Sequence, residues 1–528
     1  MKPRSITLTL LILTGMLSLR TPLRAQEAAT ASCTGPNGNR FNLEPRPDAV
    51  NQTARSVAFL LNGAGSGTDL VVGTALDARG LEGTLESEDG FYIQRSNSDC
   101  AADSEGGTPA IASFDDTFGS FGSPVVVADP VRSNFFLADL RSGETMGETG
   151  FGVLRATAAN LLSTTACPSG TQTNSATCWP TGNVVSLEPP FDFALTNPAV
   201  AVDPRTSGTG AGDVYVAGSV ENLTPFPPTQ GILLAACTNT LVSCSNSVTV
   251  SGSDTFADTA WVQVRPDGGI TVTYISTTFG GFFPDSIKFV NCTPQGAPNT
   301  PVCSTPVLVT TENNPMGGIT PGNVFLTDGD RLFAPGDITY PKHSDRLESD
   351  GVTVTTFIVY DRCEVATIAP MDIGNHFCPK TDVVMTSSSD NGATWSPITS
   401  VTTSPAQQFF GTVATDASTE TVNIAYYSTQ NDPLQQHLQV FLAQIAPGST
   451  TVGTPQLLTS AFADAQSQSP IVVSFDEAYG HHLGLAAAGT GTAGQSHAYV
   501  GFTWNSVQGT YVGTSNPDIN NHLTRFDY

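Results

Sequence analysis

Aspartates that recur beside phenylalanine are the groups in this chain best placed to do chemistry. They gather in four short segments set between apolar runs: Phe114-Asp115-Asp116-Thr117-Phe118, Phe191-Asp192-Phe193, Asp254-Thr255-Phe256-Ala257-Asp258 and Phe462-Ala463-Asp464. A further segment, Phe279-Gly280-Gly281-Phe282-Phe283-Pro284-Asp285, has the same character. Carboxylates so grouped accept hydrogen bonds from sugar hydroxyls, ligate Ca²⁺ through oxygen, or serve as acid and base in hydrolysis. Aromatic faces beside them supply an apolar surface for a sugar ring. The binding set is therefore Asp115, Asp116, Asp192, Asp254, Asp258 and Asp464, with Phe193 and Phe256. Were the chemistry hydrolytic, acid and base would come from Asp115, Asp116, Asp192, Asp258 and Asp464. The same residue types also serve structure, with Asp capping loop and strand amides and Phe packing between elements. Other chemistries lack their motifs: there is no Gly-x-Ser-x-Gly elbow, no His-Glu-x-x-His and no Walker loop. Asp328-Gly329-Asp330 is a fragment of a Ca²⁺ loop without the full spacing, and the adjacent His481 and His482 fall on opposite sides of a strand.

The elements that position these segments repeat. Gly122 to Pro130, Thr196 to Pro204 and Gln468 to Asp476 share a polar-Pro start, a β-branched run and an acidic turn. A second strand follows each, at Phe135 to Arg141, Asp213 to Val220 and His482 to Ala488. Third strands are expected at Gly152 to Ala156, Ile232 to Cys237 and His497 to Trp504, and short fourth strands at Asn183 to Leu187, Ser247 to Val250 and Gly509 to Gly513. The same four-strand pattern is readable at Ser56–Ser113, Thr259–Thr310, Asp337–Val401 and Phe410–Thr459. Short strands punctuated by 50 Gly and 36 Pro, with no helical periodicity, predict an all-β chain. Four-stranded units of this kind close radially as blades, which protects their edges. The expectation is a single β-propeller of seven blades, each of four antiparallel strands, over residues 55–513, or of six blades if Ser56–Ser113 is an extension. Residues 26–54 then form an N-terminal extension and 514–528 a C-terminal tail.

One turn carries a known signature. Ser388-Ser389-Asp390-Asn391-Gly392-Ala393-Thr394-Trp395 fits S-x-D-x-G-x-T-W at Ser388, Asp390, Gly392, Thr394 and Trp395. It lies between two strand-like runs, so the Asp carboxylate can collect turn amides, Gly supplies a positive φ, Thr bonds back and Trp covers the hairpin. The octapeptide resembles the Asp box (BNR repeat) of sialidases and related propellers. That resemblance implies that the loops joining second to third strands, and fourth strands to the next blade, form the ligand face, with the Asp box on the other side. It also implies three substrate-binding Arg, a Tyr–Glu nucleophile pair and an Asp acid/base. Arg79, Arg141 and Arg331 and the second-strand Tyr274, Tyr360 and Tyr426 are the residues of those types to consider. The family's Phe-Arg-Ile-Pro segment is missing, and seven units depart from the six blades of its catalytic members. The expectation is thus a non-catalytic ligand- or glycan-binding propeller, with a glycoside hydrolase acting on extracellular glycans as the alternative.

Lys2 and Arg4 ahead of the apolar run Ile6 to Leu19 read as a secretory signal peptide ending near Ala25. The run is shorter than the ~20 residues a spanning helix needs. Removing residues 1–25 takes away Lys2, Arg4, Arg20 and Arg24 and no acid, so 17 basic residues face 47 acidic ones and the net charge becomes −30. Such a surface disfavours nucleic acid and anionic membranes and suits neutral ligands or cations such as Ca²⁺. Ten Cys in an exported chain predict disulfides: Cys167–Cys178, Cys237–Cys244, Cys292–Cys303 and Cys363–Cys378 by proximity, leaving Cys33 with Cys100. The first three fall between third and fourth strands, where the Asp-box turn sits in the fifth unit.

Overall fold

The computed structural model describes residues 39–42, 52–65, 67–77, 88–95, 104–107, 109, 111, 124–142, 149–169, 175–188, 193–222, 229–277, 285–312, 323–324, 341–364, 377–378, 380–459, 462–464, 483–492, 494–504 and 520–528. Blade one comprises Gln52–Gly65, Thr68–Asp77, Glu88–Gln94 and Ser104–Gly107, and blade two Val125–Asp129, Asn134–Ser142, Thr149–Thr157 and Thr181–Glu188. Blade three is Phe193–Val202, Val214–Asn222, Thr229–Cys237 and Val248–Thr249. Blade four is Ala257–Val264, Ile270–Ser276, Asp285–Thr293 and Val302–Cys303, with Val307–Glu312 also paired to its third strand. Blade five is Lys342–Leu347, Val354–Cys363, Thr381–Ser388 and Thr399–Ser400. Blade six is Gln408–Asp416, Thr421–Ser428, His437–Ile445 and Gln456–Leu457, with Ala463–Asp464 added to its third strand. First strands touch one another in chain order, and that of the last sheet meets that of the first, so the ring closes. The molecule is a seven-bladed β-propeller. The six-blade alternative falls because the segment from Gln52 to Gly107 holds a complete four-stranded sheet.

Blade seven departs from the sequence reading. Its strands are Gly484–Gly489, Ser496–Trp504, Asn520–Asp527 and, as the outer edge, Asn39–Asn42. The segments expected as its second and third strands are therefore its first and second. The third strand comes from the segment expected as a C-terminal tail, and the fourth from the expected N-terminal extension. The strands expected at Gln468 to Asp476 and Gly509 to Gly513 lie outside the described residues. Pairing the two ends of the chain in one sheet closes the ring with main-chain hydrogen bonds, which no local sequence pattern announces.

The middle strands explain the β-branched runs. Thr381–Ser388 is buried along its whole length, and Val354–Cys363 almost so, because neighbouring blades cover both faces. Outer strands such as Thr399–Ser400 and Gln456–Leu457 are exposed. The acidic turns after the first strands lock adjacent blades. Asp129 accepts from the amides of Val131 and Arg132 and pairs with the Arg132 guanidinium, which also donates to the carbonyls of Asp203 and Arg205 in the next blade. Arg205 in turn pairs with Asp203 and donates to the carbonyl of Asp267 in blade four. At the closing seam His497 and Tyr499 of blade seven both bond to Asp69 of blade one. Gly484 lies so close to blade one that a Cβ there would sit 2.7 Å from Val57 N.

Disulfides Cys167–Cys178, Cys237–Cys244 and Cys292–Cys303 join the third-to-fourth strand connections of blades two, three and four. In blade two that connection also carries the short helices Ala158–Leu162 and Ser175–Cys178. Cys363 is disulfide-bonded too, its partner falling outside the described side chains, where Cys33, Cys100 and Cys378 all lie. Among the described residues no cysteine is free, and no helix is long and apolar enough to cross a membrane.

Candidate ligand-binding face

The loops joining second to third strands, and each fourth strand to the next blade, lie at one end of the strands, the upper face. At this end the first strands of blades three, four and six slip register between Thr196 and Ala199, Asp258 and Trp261, and Phe409 and Thr412. Asn197, Thr259 and Phe410 take positive φ at these bulges, of 51°, 57° and 58°. For a β-branched residue such as Thr259 that backbone is unusual and must be held by its surroundings.

Carboxylates do the holding. Asp258 accepts from its neighbour Thr259 N at 2.7 Å, from Ser219 Oγ at 2.5 Å and from Asn197 Nδ2 at 3.1 Å, tying blade four to blade three. Burial, then the Asp258 charge, holds the Glu221 carboxyl above its ordinary range. Further round the ring, Asp361 of blade five accepts from Phe410 N at 2.6 Å and Gly411 N at 3.0 Å. Burial pushes Asp361 up to about 7, against the opposing pull of those amides and of Lys342. Lys342 is itself buried, donates to the Leu483 carbonyl and lies over the Trp261 ring.

The remaining candidates scatter. Asp254 accepts from Tyr274 OH at 2.8 Å, with Lys288 Nζ 3.9 Å away. Phe256 is 3% exposed and belongs to the interior. Phe193 and Asp464 are placed by backbone alone: Phe193 pairs with Asn222, and Asp464 stands opposite His437. Asp115, Asp116 and Asp192 lie outside the described residues, as do Arg79 and Arg331. Arg141 is fully buried, bonded to Asp139 and to the Pro109 carbonyl, so it forms a structural ion pair within blade two. Tyr360 donates to Glu312 at 2.6 Å and sits in the apolar cluster between blades four and five, where burial first, then Glu312, raises its phenol well above the ordinary range. Tyr426 stacks on Phe441 in the interior between blades five and six.

Two clusters escaped the sequence reading. Asp382 and Glu364 face Lys380 at 3.3 and 2.7 Å, and burial before any other cause pushes the Asp382 carboxyl upward. In the second-to-third strand loop of blade six, Asp432 binds His437 Nδ1 at 2.8 Å beside the exposed Phe462. The turn sequence Asn431-Asp432-Pro433 was the signal available for the second cluster, since Asp before Pro favours turn initiation. All three lysines beyond residue 25, Lys288, Lys342 and Lys380, fall near the upper ends of blades four and five, each facing a protein oxygen. Among the described residues, no three His, Cys, Asp or Glu side chains are grouped to hold a metal ion.

The Ser388-to-Trp395 turn lies on the lower side. Asp390 accepts from Thr394 N at 2.9 Å and Thr394 Oγ1 at 2.5 Å, which hold its carboxyl down at about 2. Gly392 has φ of 80°, and its backbone passes so close to Phe289 of blade four that a Cβ would collide with that ring. Trp395 packs edge-on to the same Phe289, so the turn fastens two blades together on the side away from the upper face.

No family model matches the chain, and no curated protein matches it by sequence. Solved structures do resemble it. A protein of unknown function from Dyadobacter fermentans superposes with a TM-score of 0.41 at 10% identity, over 77% of this chain and 94% of its own. A Hadza microbial sialidase gives 0.40 at 8%, covering 93% of this chain and 94% of that one. A Trypanosoma rangeli sialidase in complex with the inhibitor DANA gives 0.36 at 12%, covering 82% and 56%. Likenesses this remote leave the architecture resting on the ring of sheets itself.

Proposed function

We propose that the chain is an exported propeller that binds a neutral glycan on its upper face without hydrolysing it. The observation that carries this reading is how Asp258, Asp361 and Asp254 are used on that face. Asp258 and Asp361 hold bulged backbone, and Asp254 is engaged by Tyr274, whereas Phe462 turns its ring to solvent. Carboxylates committed to amides and hydroxyls serve as a scaffold, and an acidic chain favours a neutral ligand over an anionic one. The three disulfides suit an oxidising compartment, in keeping with the apolar leader at residues 6–19.

The test replaces Asp116, Asp192 and Asp258 together by Asn and measures glycan retention, with thermal stability with and without Ca²⁺ alongside. The unaltered chain should retain a neutral oligosaccharide, the variant should melt lower because Asp258 holds the bulge of blade four, and Ca²⁺ should leave the melting temperature of either protein unchanged. Stabilisation of the unaltered chain by Ca²⁺, or release of sugar from an added oligosaccharide, would overturn the reading in favour of a cation site or a hydrolase.

A further inference from the structure

The geometry points to a saccharide subsite on the rim of blade six, made by the ring of Phe462, the outward edge of His437 and the side-chain amide of Asn431. The inference rests on the glycan-binding reading above and says where on the upper face the sugar sits. Its foundation is Asp432, whose side chain is 9% exposed. Oδ1 accepts from Leu434 N at 3.0 Å, and Oδ2 accepts from Gln436 N at 2.8 Å, His437 N at 2.9 Å and His437 Nδ1 at 2.8 Å. A carboxylate fed by three amides is an acceptor, so His437 Nδ1 donates to it and Nε2 is the ring nitrogen left facing outward. Nε2 makes no hydrogen bond to any described residue, and the His437 side chain is 35% exposed.

Phe462 is held beside it. The short strand Ala463–Asp464 pairs with His437 and Leu438, bringing the Phe462 and His437 rings to 5.9 Å between centroids, tilted by 52°. Phe462 keeps 36% of its surface exposed, unlike the buried Phe256. His437 and Gln439 share one side of their strand, and Gln439 fixes the exposed Asn431 by accepting from its Nδ2 at 2.8 Å while donating to the Thr459 carbonyl. An apolar ring beside an outward imidazole nitrogen, with an exposed amide anchored two residues along the same strand, suits a ligand with one apolar face and an edge of hydroxyls, which describes a neutral sugar. The chain's excess of acidic over basic residues disfavours an anion.

The experiment presents the mature chain to immobilised neutral and sialylated oligosaccharides, then titrates the neutral oligosaccharide it retains best. Phe462→Ala and His437→Gln are each expected to weaken binding about tenfold, a typical cost of removing one contact that matters. His437→Gln leaves the backbone amides on Asp432, so its melting temperature should stay at the wild-type value. Binding should also shift the imidazole nitrogen resonances of His437 in the unaltered protein. Neutral-glycan binding that survives both substitutions with no His437 shift overturns the rim subsite and leaves the broader glycan reading standing. Failure to retain any neutral oligosaccharide overturns both.

Discussion

Asp361 sets the first expectation. It is buried, and its carboxyl is pushed up to about 7 while accepting the Phe410 and Gly411 amides. A group that holds its proton more tightly when folded gives its full stabilisation below the unfolded value near 4 and loses it as pH rises through about 7. Melting curves from pH 4 to 8 should therefore show the wild type losing stability relative to Asp361→Asn, by on the order of 3 kcal/mol across that range. A difference that does not vary with pH would mean the carboxylate is ionised throughout. Gly268 supplies a second expectation at this scale. Its φ is +89°, and the Arg205 guanidinium occupies the space a Cβ would need. Gly268→Ala should destabilise by about 2 kcal/mol or more in chemical denaturation, since it strains the turn and displaces Arg205 from Asp203 and the Asp267 carbonyl.

The strand pattern was legible from sequence because middle strands buried on both faces must be apolar and β-branched, as in Val354–Cys363. Disulfide positions were legible for a related reason: cysteines 7 or 11 residues apart flank hairpin connections, as Cys237 and Cys244 do. Replacing both with Ser should cost about 2 kcal/mol in the chain-entropy picture. Non-reducing peptide mapping should recover the Cys237–Cys244 linkage from untreated protein. What could not be read was the use of the Asp residues. Asp258 holds a bulge through Ser219 and Asn197, residues 39 and 61 positions away, and no local pattern encodes so distant a partner. The Asp432–His437 pair was local, but an Asp before Pro looks the same whether or not a histidine closes on it.

At the scale of the whole ring, what escaped the sequence was the closure. Asn39–Asn42 pairs with Asn520–Asp527 from the far end of the chain, and four residues carry too little periodicity to be recognised as an edge. Deleting residues 26–45 from the mature chain should expose that partner's hydrogen-bonding edge and lower the thermal midpoint by several degrees, as the loss of a few strand contacts does in large domains. An unchanged midpoint would show that His497, Tyr499 and Asp69 close the seam unaided. The function proposed for this ring makes the sharper claim, that it holds a neutral glycan and leaves it intact. The direct measurement is to incubate the mature chain with a mixture of neutral and sialylated oligosaccharides, recover the protein with what it retains, and weigh bound and free sugars by mass spectrometry. The account predicts neutral oligosaccharides enriched on the protein at their original masses. Shortened oligosaccharides or free sialic acid in the supernatant would contradict it.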